Sequence, residues 1–206
     1  MLTLQLKFQG GILKISRKLS LSAAVAVAFF ASSLTPVAHA EDVTLYGVID
    51  EAYRFSTHAN SSGNSLNQIT DGMQQGSRLG FKGSEDLGGG LKAIFQLEAG
   101  FSTSNGQSLQ GNRLFGRNAT VGLSDNQWGT LTVGRQNNLG YDFAINTDVY
   151  GVANNVAIAG YQSYLTGFRW DNSLKYTNKF SGVNVGAQYS SGNHAGDASQ
   201  GSAYAL

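Results

Sequence analysis

From Val43 onward the chain steps between apolar and polar residues at almost every position, in blocks joined by alternately short and long polar connections. Few folds accommodate both habits. Successive side chains of a β-strand point to opposite faces, so period-two alternation gives each strand one apolar and one polar face. In residues 43–55 one parity holds Val43, Leu45, Ile49, Tyr53 and Phe55, and the other Thr44, Tyr46, Asp50 and Arg54. Val48 and Glu51 interrupt the pattern. In residues 77–83, Leu79 and Phe81 share one face while Arg78 and Lys82 share the other. Residues 91–101, 113–123, 130–135, 168–177 and 183–189 continue the series, about seven strands in all. Residues 190–206 are rich in Gly, Ser and Ala and carry no strand signal.

The connections discriminate between all-β architectures. Residues 85–90, 125–129 and 180–182 read as tight turns, whereas 56–76, 102–112 and 136–167 are long and polar. Short turns at one end and long loops at the other are the layout of an outer-membrane barrel. A soluble β-sandwich alternates apolar with polar residues but does not require this pattern of connections. Strands of roughly ten residues suit a tilted crossing of the hydrocarbon. Composition agrees: charged residues are 13% of the chain, about half the usual ~25%, and 27 glycines supply turns. No stretch after the leader carries the roughly 18 uninterrupted apolar residues of a helical span. The expected fold is therefore all-β, a transmembrane antiparallel barrel.

The first residues read as a helical signal peptide, residues 1–40. Lys14, Arg17 and Lys18 precede an apolar run from Leu19 to Leu34, Pro36 breaks it, and Ala38-His39-Ala40 gives a small-x-small cleavage pattern before Glu41. Four of the 14 Lys and Arg residues lie in this leader and all 13 Asp and Glu lie beyond it, so residues 41–206 carry a net charge of −3. Neither balance favours a nucleic-acid partner. The absence of cysteine excludes disulfides, thiolate metal sites and a cysteine nucleophile. His58 and His194 fall in polar loops without metal-ligand spacing, and Gly88-Gly89-Gly90 reads as a turn with no following helix to cradle a phosphate. No catalytic residue, metal or cofactor is expected.

The segments Val43-Thr-Leu-Tyr-Gly47, Gly76-Ser-Arg-Leu-Gly-Phe-Lys-Gly83, Glu85-Asp-Leu-Gly-Gly-Gly-Leu91, Phe95-Gln-Leu-Glu98, Phe115-Gly-Arg117 with Val121-Gly-Leu123, and Trp128-Gly-Thr-Leu-Thr-Val-Gly-Arg135 stand in the order found in Gram-negative general porins. Together they most resemble the anion-preferring porins of β-proteobacteria. The resemblance implies a barrel of about sixteen strands, assembled as a homotrimer in the cell outer membrane among its lipid and lipopolysaccharide. It implies passive diffusion of ions, anions above all, and small hydrophilic solutes. Against that pattern residues 41–206 look like the N-terminal part of the barrel, with a constriction loop at about 136–167 folded inward. An exported β-rich structural or adhesive protein without channel activity is the alternative.

The same resemblance implies site residues. Arg78, Arg117 and Arg169, on three separate strands, match the arginine cluster of the constriction. Arginine keeps its charge at any working pH, and its planar fork suits carboxylates and phosphates. Lys82, Arg135, Arg54, Lys92, Arg113 and Lys175 extend the positive lining, with Arg54 and Arg113 near long-loop ends. Asp142 and Asp148 stand where the family carries the acidic residues of the constriction loop. Tyr46, Tyr53, Phe55, Phe81, Phe95, Phe101, Trp128, Tyr176 and Tyr189 are candidates for aromatic girdles or a lipid-facing band.

Overall fold

The computed structural model describes residues 7–8, 11–12, 42–147 and 167–206. The chain divides into two units, Met1–His39 and Ala40–Leu206. In the first, β1 (Lys7–Phe8) pairs with β2 (Gly11–Ile12). The leader and its cleavage site at Ala40 and Glu41 otherwise lie outside the described residues.

The second unit is an antiparallel meander. Its strands are β3 (Asp42–Val48), β4 (Glu51–Ser56), β5 (Leu66–Asp71), β6 (Arg78–Gly88), β7 (Leu91–Gly100), β8 (Asn118–Asp125), β9 (Gly129–Asn137), β10 (Arg169–Phe180), β11 (Val183–Ser190) and β12 (Ala203–Ala205). Helix α1 (Leu139–Thr147) follows β9. Eight strands form one sheet in the order β12-β11-β10-β9-β8-β7-β6-β3, and β4-β5 form a separate hairpin. The turns β6–β7, β8–β9 and β10–β11 hold two, three and two residues.

Register explains the alternation. Residues directly opposite one another in a ladder share a face. Val43, Gly83, Phe95, Val121, Val133, Leu174, Tyr189 and Tyr204 stand in one row across all eight strands. The neighbouring row, on the other face, is Thr44, Lys82, Gln96, Thr120, Gly134, Ser173 and Ser190. The apolar row is the open one. Leu79 and Phe81 are 45% and 40% exposed, and no described sheet or helix covers them. The polar face is closed where the long connection begins to cross it: Ser173 is 0% and Gln188 3% exposed, and Ala144 is the only buried hydrophobic side chain among the described residues. A soluble domain buries the opposite set. This arrangement suits a lipid-facing exterior.

Buried polar groups are tolerated because they bond one another. Ser173 Oγ donates to the Gly134 carbonyl at 2.9 Å and accepts from Gln136 Nε2 at 3.2 Å and Gln188 Nε2 at 3.3 Å.

Several strand ends differ from the sequence reading. The expected strand 43–55 breaks at Ile49 and Asp50 into β3 and β4. The expected loop 56–76 contains β5 and then a six-residue bulge, residues 72–77, facing Ile49 and Asp50. Asp50 creates this bulge: its Oδ2 accepts the Gln74 and Gln75 amides, its carbonyl accepts the Gly72 amide, and its own amide donates to Ser77 Oγ. An Asx side chain that bonds backbone in this way competes with the ladder. The expected turn 85–90 is mostly strand, because β6 runs on to Gly88 with a register shift after Asp86. Residues 113–117 lie outside β8, and the weakly patterned tail supplies β12.

Candidate functional site

Five arginines and a glutamate gather where the strands meet their long connections. Arg78 opens β6, Glu98 is near the end of β7, Arg117 immediately precedes β8, Arg135 is near the end of β9, and Arg169 opens β10. The meander thus brings residues 91 positions apart in sequence to one end of one sheet.

Arg117 and Arg78 share a carboxylate. Glu98 Oε1 accepts from Arg117 Nε at 2.6 Å, while its Oε2 lies 3.9 Å from Arg78 Nε; the Glu98 side chain is 12% exposed. Tyr46 donates its hydroxyl to Glu98 Oε2 at 2.8 Å and accepts from Gln96 Nε2 at 2.6 Å. Gly80 makes this reach possible. It stands between Tyr46 and Glu98 in the ladder, and a Cβ there would lie 2.5 Å from Tyr46 Cζ. Lys82 Nζ stands 5.6 Å from the Tyr46 ring centroid, within cation–π range. Tyr46, a candidate for the lipid-facing band, belongs instead to the polar face, because its parity is that of Thr44.

The bulge fixes Arg78. Arg78 Nη1 donates to the Gly76 carbonyl at 3.1 Å and Nη2 to Gln75 Oε1 at 3.0 Å. Arg169 Nε donates to the Arg117 carbonyl at 2.9 Å, and its guanidinium lies 6.0 Å from the Tyr141 ring centroid. Arg117 and Arg169 line one side of a cavity of about 320 Å³ whose other walls include Ser77, Gln110, Tyr141 and Phe168. The predicted trio therefore does converge at one end of the sheet.

A second carboxylate serves two further arginines. Asp171 accepts from Arg113 Nη1 at 2.7 and 2.8 Å and from Arg135 Nη1 at 2.6 Å. It sits in the β10 bulge, where the register shifts between Trp170 and Ser173. Arg135 also donates from Nε to the Gly116 carbonyl at 2.7 Å. Around this end of the sheet stand five arginines: Arg78, Arg113, Arg117 and Arg135 pair with Glu98 or Asp171, while Arg169 donates to the Arg117 carbonyl and shares the cavity lining with Asp71.

The long connection after β9 starts on the polar face. Asn138 closes its base, donating its amide to the Phe168 carbonyl at 3.1 Å, and its Oδ1 accepts the Tyr141 amide at 2.7 Å at the start of α1. Tyr141 packs edge-on against Phe168 with centroids 5.1 Å apart. Leu139 donates its amide to Gln188 Oε1 at 3.0 Å, and its side chain fills the space over Gly186. Asp142 Oδ2 lies 2.7 Å from Lys175 Nζ and its Oδ1 accepts from Asn137 Nδ2 at 3.0 Å. Asp148 lies outside the described residues. Lys82 and Lys92 are exposed at the short-turn side of the arginines, and Arg54 is on β4, bonded to Ser56 Oγ at 3.2 Å.

Glu98, Tyr46 and Asp171 escaped the sequence reading of the site. The available signal was the matched position of Gly80 between an even-parity tyrosine and an even-parity glutamate, which only register reveals.

Comparisons with known proteins agree with this architecture. A family model described as Gram-negative porin matches residues 22–206. An outer membrane porin protein of Bordetella pertussis is 40% identical over 188 residues, covering 84% of this chain and 48% of that protein. The major outer membrane protein P.IB of Neisseria meningitidis serogroup B is 36% identical over 170 residues, 78% of this chain and 47% of its own length. Among solved structures, the anion-selective porin from Comamonas acidovorans superposes with a TM-score of 0.63 at 29% identity, over 73% of this chain and 46% of that one. The chain spans about half the length of the curated relatives it matches.

Proposed function

The chain belongs to the Gram-negative porin family, outer-membrane β-barrel channels rather than enzymes, and on that premise we propose that it forms the wall of a water-filled, anion-preferring diffusion pore. The observation that carries this reading is the convergence of Arg78, Arg113, Arg117, Arg135 and Arg169 at the long-connection end of the polar face, with the Arg169 guanidinium donating to a backbone carbonyl rather than to a carboxylate. Rings and walls of fixed charge set ion preference in pores. Small hydrophilic solutes pass by diffusion, and those bearing carboxylate or phosphate groups are drawn to the guanidinium edges. The similarity to an anion-selective porin supports the same sign.

In this reading the segment at about 136–167 narrows the lumen. Asp142 is committed to Lys175, so its charge is cancelled at the wall, and Asp148 is left as the opposing acid of the loop. Residues 1–40 act as an export leader, the apolar row contacts outer-membrane lipid at its lipopolysaccharide-bearing leaflet and below, and three copies associate through outward faces.

Planar-bilayer recording tests the function. Discrete current steps with a reversal potential toward anions are expected; no steps would remove the channel. Arg78→Glu combined with Arg117→Glu should move the reversal potential toward cations, and an unmoved value would leave the cluster without its role.

A further inference from the structure

Glu98 presents to Arg117 the same chemical group that a permeating organic anion would present. Its carboxylate is nearly enclosed, accepts a hydrogen bond from Arg117 Nε at 2.6 Å, and is held by a second residue, Tyr46. A carboxylate only accepts, so the Tyr46 proton is committed to it, and the phenol oxygen accepts from Gln96. The tyrosine arm spans β6 because Gly80 has no side chain. We infer that Glu98 is a tethered competitor for anionic solutes and that Tyr46 is the positioning residue that keeps it on Arg117. This rests on the channel reading and deepens it.

The reasoning concerns residence. Conduction needs a site attractive enough to enter and weak enough to leave. Arginine forks bind carboxylate and phosphate in bidentate fashion, and a deep guanidinium well would hold such a solute. Glu98 holds the Nε edge of Arg117 in advance through one hydrogen bond at 2.6 Å, so a passing carboxylate that would use that edge must share or displace it. The wall keeps its positive sign through Arg78 and Arg169 while its grip on any one anion is reduced. The inference therefore assigns selectivity to the arginines and turnover to Glu98 and Tyr46.

Two measurements on the full chain test it. In bilayers, block of chloride current by succinate should occur at a concentration about tenfold lower in Glu98→Gln, the factor that one charge-assisted hydrogen bond is worth. Tyr46→Phe removes a charge-assisted bond to Glu98 but leaves the carboxylate on Arg117, so it should shift block in the same direction by a smaller factor than Glu98→Gln, and Glu98→Asp should stay near the parent. Independently of conduction, Arg117 labelling by phenylglyoxal in the detergent-folded chain, read by peptide mass spectrometry, should rise in both Glu98→Gln and Tyr46→Phe. Current steps with unchanged succinate block and unchanged labelling would overturn the tether while leaving the channel intact. A parent chain without current steps, whose Arg117 is labelled as fast as in Glu98→Gln, would overturn both.

Discussion

Asp142 and Lys175 are joined across the polar face, Oδ2 to Nζ at 2.7 Å, so the helix that begins the long connection is fastened to the strand that follows it. The lysine side chain is 12% exposed and also donates to the Asn137 carbonyl at 3.1 Å. This contact fastens the root of the proposed constriction.

Asp142→Asn should loosen α1 without unfolding the sheet. A hydrogen bond to a charged group contributes roughly 1.5 kcal/mol, which corresponds to about a tenfold rise in local opening. Chymotryptic cleavage at Tyr141 or Phe143 in the detergent-folded chain should accelerate by about that factor. Open-channel current noise should rise with it. An unchanged cleavage rate would show that the Leu139 and Asn138 contacts suffice.

Phe81→Arg puts a charge on the open apolar face. If that face meets hydrocarbon, stability in lipid vesicles should fall by roughly 2–4 kcal/mol, measured by urea unfolding. Thr120→Arg, on the polar row, should leave stability nearly unchanged. Equal tolerance of both would contradict a lipid-facing apolar row.

Asp50→Ala removes the acceptor for the Gln74 and Gln75 amides. The bulge that carries Gly76 and Gln75 to Arg78 should then exchange its amide hydrogens faster, by about tenfold or more on the usual scale for such bonds. Exchange mass spectrometry over residues 72–77 reads this directly, and β7 to β9 should stay protected.

Ion preference should weaken as salt is raised. Screening shortens from about 30 Å at 0.01 M to about 3 Å at 1 M, so exposed wall charges lose their reach across an open lumen. Reversal potentials recorded at a fixed concentration ratio should therefore shrink as both sides are made more concentrated. Selectivity independent of salt would point to a dehydrated filter instead.

The strands were legible because lipid and water impose opposite demands on alternate residues, and Leu79 with Phe81 obeys that rule as plainly as Arg78 with Lys82. The trio Arg78, Arg117 and Arg169 was legible through motif resemblance. What escaped was set by register and by local competition for backbone. Asp50 looks like one more polar position until its carboxylate is seen bonding a bulge 24 and 25 residues away. Leu66-Asn-Gln-Ile-Thr-Asp71 is too polar to announce β5, which forms because β4 lies opposite it. Glu98 reads as an ordinary wall residue until Gly80 admits Tyr46. Pairing partners such as Arg113 with Asp171 span 58 residues, and no local pattern encodes that.

The band from Val43 to Tyr204 turns its oily surface outward once every strand has found its neighbour. For such a chain the bilayer takes over the part that an internal core plays elsewhere, and assembly and insertion become a single event. Substitutions that would make an ordinary protein more soluble would, along this band, loosen its hold on the bilayer.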